Sequence, residues 1–363
     1  MKKLTLVAMI AASVLMLGAC RADGVRRPGT AILLTDDSGI DDASFNAAAW
    51  RGILEFFGET LDHTPNRGVL YNTIAAATMA QYVPNLHNAI DEGYELIITA
   101  GFTWESSVRD VAGDNPDQYF LIIDVAGIGL PNVMEAVFAE HEGSFLVGAA
   151  AALQALEDGI ENPRFGFIGG IASAVITRFH VGFVQGVLSI IPDAEILEYY
   201  VNSWSEPVQA RAQAMNWYND GVFAIFSAAG ASGNGTIVEA REQRLMGNNV
   251  WAIGVDSCQF EFGMYGENES AVLTSMIKRV ESSVVYALNA VRDGNFYGRV
   301  ISFNLAMDGV GFSDVNPALD LGVISRLREI ERQIVAGEIV VKPTLAEASL
   351  LPGFPQLNMA IDG

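Results

Sequence analysis

The chain has 363 residues, half of them hydrophobic and 18% charged, with 21 Lys and Arg against 43 Asp and Glu for a formal net charge of −22. That hydrophobic share excludes an intrinsically disordered chain, and the length exceeds what one compact core holds, so two lobes are expected. A strongly negative field repels nucleic acid and anionic lipid, which excludes a nucleic-acid-binding role.

In chain order, Lys2 and Lys3 precede an almost unbroken apolar run, Leu4–Leu17, which ends in Leu17-Gly18-Ala19-Cys20. The run has the length of a signal-peptide core and is short for a spanning helix. The order resembles the lipobox of bacterial lipoproteins, in which the cysteine takes a diacylglycerol and becomes the new N-terminus. Residues 1–19 are therefore expected to be a signal peptide, Cys20 the lipidation site, and 20–29 a lipidated tether. The expected location is a cell membrane, lipid-anchored, facing the periplasm or the cell exterior. After Cys20 only Cys258 remains, so no intrachain disulfide is expected. His63, His87, His141 and His180 are scattered without metal-ligand spacing, and neither metal nor cofactor is expected. Glu140-His141-Glu142, at a helix start, reads as a solvated face.

From Thr30 onward short apolar runs alternate with amphipathic segments. Strands are expected at Ala31–Thr35, Val69–Tyr71, Leu96–Ala100, Tyr119–Asp124, Phe165–Ile168, Ile196–Val201, Phe223–Ser227 and Val250–Val255. Helical patterns fall between them, at Ala43–Phe57, Thr78–Asp91, Phe145–Leu156, Val175–Ile190, Pro207–Asn219 and Ile237–Leu245. Strands apolar on both faces with helices between them predict parallel sheets of βαβ units. The pattern repeats in two halves, near 30–138 and 140–256. Extended segments Ser270–Lys278 and Val300–Leu305 then flank a helix, Val280–Arg292, before a last helix at Leu319–Ala336. The fold expected is α/β of the type I periplasmic binding protein class, two doubly wound parallel-sheet lobes joined by a multi-strand hinge. The N-terminal lobe takes 30–138 plus about 275–303, the C-terminal lobe 139–274 plus about 304–345, and 346–363 form a tail. Several strands end in Asp, Gly or Ser, and ligands of open α/β sheets bind beyond the carboxyl ends of the strands.

At the end of the first strand the chain reads Thr35-Asp36-Asp37-Ser38-Gly39-Ile40-Asp41-Asp42-Ala43-Ser44-Phe45-Asn46. Ile98-Thr99-Ala100-Gly101-Phe102, Phe120-Leu121-Ile122-Ile123-Asp124, Phe138 to Gly148, Phe165 to Gly170, Ala252 to Asp256 and Leu273 to Lys278 follow in order. Together these resemble the basic membrane protein family, lipoproteins that include purine nucleoside receptors of ABC uptake systems. The likeness runs from about residue 30 to beyond 310. Two positions depart from the family pattern: Ser38 stands where a glycine is usual, and Cys258 where an acidic residue is usual.

The resemblance implies roles. Phe45 would stack on one face of a base and Trp204, where the family usually has Phe, on the other; base stacking is worth roughly 1–3 kcal/mol. Asn46 and Asp124 would pair with the base edge, although Asn46 at a helix start is also a favoured cap. Asp256 would accept from ribose hydroxyls with Lys278 donating to the same sugar, or the two form a structural pair at a hinge. Asp36 orders the first loop or touches ribose. In Gly230-Ala231-Ser232-Gly233-Asn234-Gly235 the small residues would let backbone N–H groups approach a sugar, since phosphate-loop spacing is missing.

The function expected is that of a non-catalytic binding lipoprotein that takes a nucleoside, purine by resemblance, between its lobes and delivers it to an ABC permease and ATPase. The alternatives are a receptor for another small polar ligand, such as a sugar or autoinducer-like compound, and a surface interaction lipoprotein. A nucleosidase would need a poised nucleophile. The Asp36-Asp37 and Asp41-Asp42 cluster is the one carboxylate group offering it, and it reads as a solvated acidic loop at a helix N-terminus.

Overall fold

A computed structural model describes residues 27–362; Cys20 and the signal peptide expected before it lie outside the described residues. The first half of the chain runs β1 (Arg27–Thr35), α1 (Phe45–Phe57), β2 (Tyr71–Ala75), α2 (Tyr82–Asp91), β3 (Tyr94–Thr99), α3 (Glu105–Asp114), β4 (Tyr119–Ile123) and β5 (Val133–Phe138). The second half repeats the alternation with α4 (Glu140–Glu157), β6 (Arg164–Gly169), α5 (Ala174–Ile190), β7 (Glu195–Tyr200), α6 (Pro207–Asn219), β8 (Val222–Ala228), α7 (Asn234–Leu245) and β9 (Trp251–Asp256). A small hairpin, β10 (Met264–Gly266) and β11 (Glu269–Ser270), follows. Then come β12 (Val272–Lys278), α8 (Val280–Arg292), β13 (Arg299–Phe303), β14 (Val310–Phe312), α9 (Leu321–Val335) and a short α10 (Leu345–Ala348).

Two six-stranded sheets result among the described residues, ordered β13-β5-β4-β3-β1-β2 and β14-β12-β9-β8-β6-β7. Strand for strand this is the same pattern twice, and every pairing is parallel except that of β14 with β12. The expected two doubly wound lobes are therefore present. The chain passes between the sheets after β5, after β12 and after β13. Residue 275 lies inside β12, which pairs with β9; the return to the N-terminal half begins with α8, which packs on α1, and the chain rejoins that sheet at β13.

Alternate residues of one strand feed two cores, which is why the strands read as continuous apolar runs. Ala31 and Leu33 of β1 join a core shared with α1, α4, α5 and α8, whereas Ile32 and Leu34 face the opposite layer with Leu86, Ile97, Trp104 and Phe120. Burying each such Leu or Ile contributes about 1.5–3 kcal/mol. The second strand differs from expectation. It runs Tyr71–Ala75, in register with Ala31–Thr35, rather than Val69–Tyr71. Gly68 adopts φ +79 and turns the chain, leaving Val69 60% exposed ahead of the strand.

Each lobe packs a helix pair against its sheet through glycine. A Cβ added at Gly52 of α1 would meet Glu281 O of α8 at 2.7 Å; one at Gly186 of α5 would meet Phe145 O of α4 at 2.1 Å. No relaxation of a side chain relieves a clash with backbone. Gly186→Ala is therefore expected to destabilise by about 1–3 kcal/mol in denaturant unfolding. Gly113→Ala, in α3 with open space around it, should be neutral or stabilising by up to about 1 kcal/mol.

Candidate functional site

The carboxyl ends of both sheets face one cleft, with about 580 Å³ of space free of protein atoms once the part open to solvent is included. All eight residues singled out from the sequence line it: Asp36, Phe45, Asn46, Asp124, Trp204, Gly230, Asp256 and Lys278. Phe102, Val175, Ile176 and Phe179 add apolar wall.

Asp124 follows β4 and Asp256 ends β9, the corresponding strands of the two sheets. Both hold positive φ, +69° and +62°. Asp tolerates this left-handed conformation better than most residues, yet it costs energy that the surroundings must offset. The geometry aims one carboxylate from each lobe into the cleft.

The loop from Asp36 to α1 is built around Asp42. Its Oδ1 accepts from the backbone N–H of Ser44 at 3.0 Å and of Ala47 at 2.9 Å, and its Oδ2 from that of Asn46 at 2.8 Å. Asp42 thus satisfies the first free N–H groups of α1, and it is buried. This corrects the reading of the acidic segment as a solvated loop: Asp41 is exposed, but Asp42 is an interior cap. Asn46 does not cap the helix with its side chain. Its Nδ2 donates to Asp36 Oδ1 at 2.9 Å, which leaves the buried Oδ1 of Asn46 without a partner. Burial pushes the Asp36 carboxyl up, against the Asn46 bond and the Ser38 N–H.

Lys278 is 1% exposed and lies at the hinge, the last residue of β12. Its Nζ donates to both oxygens of Asp124 at 2.7 Å and forms an ion pair with Glu140 Oε1 at 3.0 Å. Arg178 of α5 donates to Glu140 Oε2 at 2.6 Å. The rings of Phe45, Phe138 and Phe179 surround the ammonium at 4.9, 5.0 and 5.4 Å. Burial works against every charge here. In Glu140 the charges of Arg178 and Lys278 outweigh it and hold the carboxyl at about 2; in Lys278 the carboxylates outweigh it and raise the ammonium. The expected solvated Glu140-His141-Glu142 face is accordingly overturned at Glu140, which is completely buried. The partner expected for Lys278 also changes. It pairs with Asp124 and Glu140 rather than bridging to Asp256, and three carboxylate oxygens already occupy the reach of its three N–H donors.

Asp256 is left without a cation of its own. Burial pushes it up to about 7, despite the attraction of Lys278 and a hydrogen bond from Ser44 Oγ at 2.8 Å.

Trp204 lies in the loop after β7. Its ring rests on Gly170, where a Cβ would come within 2.1 Å of Cζ3, and over Gly230, whose φ is +56. Its edge meets Phe102 of the other lobe, centroids 6.0 Å apart. Its carbonyl accepts from Ser232 N at 2.8 Å and from Ser38 Oγ at 3.4 Å, so the departure at Ser38 supplies a bond across the cleft. Cys258, the other departure, is exposed beside Ser313 and does not line the cavity. Sequence reasoning missed Glu140, Arg178, Gly170 and Ser44 as parts of this site. The signal for Gly170 was there, in a double glycine after a strand.

No described helix is long and apolar enough to cross a membrane, and no group of three His, Cys, Asp or Glu among the described residues is arranged to hold a metal ion.

Comparison with known proteins completes the picture. The family described as ABC transporter substrate-binding protein PnrA-like matches residues 30–344. A CD4+ T-cell-stimulating antigen of Listeria innocua is 34% identical over 94% of this chain and 99% of its own. The ABC transporter nucleoside-binding protein BmpA of Lactococcus lactis is 32% identical over 94% and 99%, and basic membrane protein B of Borrelia garinii 28% identical over 90% and 92%. Among solved structures, an ABC transporter solute-binding protein of Aeropyrum pernix superposes with a TM-score of 0.75 at 23% identity, covering 88% of this chain and 95% of that one. An arabinose-binding protein of Geobacillus stearothermophilus shares the fold more distantly, with a TM-score of 0.56 at 14% identity over 80% and 98%. The cleft, the twofold sheet pattern and these matches agree: the chain belongs to the PnrA-like family of ABC transporter substrate-binding proteins.

Proposed function

We propose that this protein captures nucleosides, purine nucleosides first among them, between its lobes and hands them to an ABC permease and its ATPase while a lipid on Cys20 keeps it at the membrane. The observation that carries the reading is the pairing, in one cleft, of aromatic residues from opposite lobes with an excess of hydrogen-bond acceptors. Phe45 and Trp204 offer flat apolar surface for a base. The free Oδ1 of Asn46, the remaining lone pairs of Asp124 and the carboxylate of Asp256 suit N–H and O–H donors of a base edge and a ribose. The similarity to a nucleoside-binding relative supports the same ligand class. Lys278 acts on Asp124 rather than on the sugar, opposing the burial that pushes that carboxyl up and fixing its orientation through both oxygens. A phosphorylated ligand would bring negative charge to three clustered carboxylates and is rejected.

Calorimetric titration of the protein in detergent tests this. Purine nucleosides are expected to bind with weak salt dependence, and free pentoses and nucleoside monophosphates not to bind. Phe45→Ala should weaken binding roughly 10–100-fold, the equivalent of one lost stacking face. Silence from every nucleoside with a clear signal from a sugar would overturn the reading.

Asp256 gives a pH test with a definite sign. Its folded pKa of about 7 stands above the ordinary value of 3.8, so the native protein holds a proton that the unfolded chain has released between those limits. This group therefore lowers stability as pH rises through that window. Above pH 7 the empty protein carries a buried carboxylate with no ion-pair partner, held by only the Ser44 hydroxyl. Asp256→Asn is expected to raise the melting temperature of the ligand-free protein at pH 8, on the order of a few degrees, while leaving it little changed near pH 4. The same substitution should cost nucleoside affinity at least about tenfold. In the unaltered protein affinity should rise with pH through about 7, as the acceptor becomes ionised.

A further inference from the structure

Ser44 occupies the position before α1 where a serine ordinarily caps the helix with its own hydroxyl. Here it makes no cap bond, because the Asp42 carboxylate already serves the N–H groups of residues 44, 46 and 47. The backbone at this point is contorted: Ala43 has φ +57 and Ser44 φ −144, ψ −115. The released hydroxyl crosses to the other lobe and donates to Asp256 Oδ2 at 2.8 Å, over 212 residues of sequence. Ser44 is completely buried and does not line the cavity, so it cannot touch what binds there. Neighbouring bonds also join the two lobes, most of them donated in the opposite sense. Ser257 Oγ donates to Ser44 O at 3.3 Å, Gln259 Nε2 to Ala43 O at 3.3 Å, Asn234 Nδ2 to Asp42 O at 3.1 Å, and Arg51 to Ser257 Oγ at 2.6 Å.

We propose that Ser44 is a positioning residue for ligand capture: its hydroxyl, freed from capping by Asp42, holds the Asp256 carboxylate in place to receive ligand hydroxyls, and does so only when the lobes are closed. Two lobes then cooperate in one hydrogen-bond acceptor. The C-terminal lobe supplies the carboxylate, and the N-terminal lobe supplies the donor that orients one of its oxygens and leaves the other for the ligand. Closure and hydroxyl recognition become a single event, since an open cleft lacks the Ser44 donor and a ligand without hydroxyls leaves Asp256 buried and half-satisfied. The inference rests on the nucleoside reading above for the identity of the hydroxyls. The groups facing Asp256 are Lys278 from β12, Asp124 from the end of β4 and Asp42 from the loop ahead of α1; Lys278 favours its charge and the two carboxylates oppose it. Loss of the Ser44 donor shifts that balance further toward the protonated form.

The test compares the full protein in detergent with Ser44→Ala and Ser44→Thr, titrated with a purine ribonucleoside and its 2′,3′-dideoxy counterpart between pH 5 and 9. Ser44→Ala is expected to weaken ribonucleoside binding about tenfold, to change dideoxynucleoside binding by less than about twofold, and to move the pH midpoint of ribonucleoside binding upward. Ser44→Thr, which keeps the hydroxyl, should restore both affinity and midpoint. An equal loss for the two ligands, or an unmoved midpoint, would overturn the inference, because a purely structural serine acts on both ligands alike. If the unaltered protein bound neither nucleoside, the ligand reading would fall. The latch is then decided in the empty protein with its lobes held shut by a disulfide between Asp37→Cys and Ser205→Cys, whose side chains meet across the cleft. By carboxyl carbon NMR Asp256 should titrate at lower pH with Ser44 present than in the same locked protein carrying Ser44→Ala, and equal midpoints would overturn it.

Discussion

An ammonium ion with almost no exposure sits where the two lobes meet, and much of the cleft is arranged to make that tolerable. Isolated in an interior, the Lys278 charge would be lost to deprotonation. It persists because Asp124 approaches from one lobe, Glu140 from the helix that starts at the hinge, and three aromatic rings close around it. Arg178 then balances Glu140. Removing one member would strand another charge in the interior, a cost of roughly 3–5 kcal/mol, whereas the intact group contributes little net stability over apolar packing. A group so expensive and so central is better understood as fixing geometry than as holding the fold together.

What it fixes is the pair of strand-end aspartates. The repeated topology delivers one aspartate after β4 and one at the end of β9, each in a left-handed backbone conformation that faces the cleft. Repetition of the fold would make them equivalent; the placement of cations makes them different. Asp124 takes two of the Lys278 contacts, which it shares with Glu140, and Asp256 receives a hydroxyl. One carboxylate is thereby held against a cation that opposes the effect of its burial, while the other, with no ion-pair partner, is pushed up to about 7. Pairs of like groups with unlike environments divide their tasks in this way.

Much of the fold was legible because buried parallel strands leave a strong mark. Runs such as Ala31–Leu34 and Leu96–Ile98 are apolar on both faces, and their spacing by helices leaves few topologies open. β5 escaped because Glu135 interrupts the run. That carboxylate is buried, accepting the N–H groups of Ile128 and Gly129, a use that only the folded loop reveals. α3 escaped because its polar residues Arg109 and Asp110 and Gly113 dilute the helical period. The site residues found from the sequence sit next to strand ends or within a recognisable motif. Those missed, Glu140, Arg178 and Ser44, matter through partners 138, 38 and 212 residues away. A side chain whose meaning is a long-range partner leaves no local pattern. Asp42 shows the same limit from the other side: a segment with four acidic residues reads as solvent-facing until three backbone N–H groups are seen to converge on one of them.

The division between aromatic and acidic surfaces bears on selectivity. On the proposed nucleoside reading, stacking on Phe45 and Trp204 would be indifferent to which base is present, since every base has two π-faces. Discrimination must come from acceptors that cannot be left empty once the lobes close. A buried acceptor without a donor costs about 1–3 kcal/mol, so a ligand missing one N–H or O–H loses more than the bond itself. Trp204 sharpens this by its support. With Gly170 beneath it, Gly230 alongside and its carbonyl tied to Ser38 across the gap, the indole is held as part of the closed wall rather than as a mobile lid. On that reading the lobes would close onto a cavity whose flat faces accept broadly and whose polar points exclude, with the charge buried at the hinge keeping those points where they are.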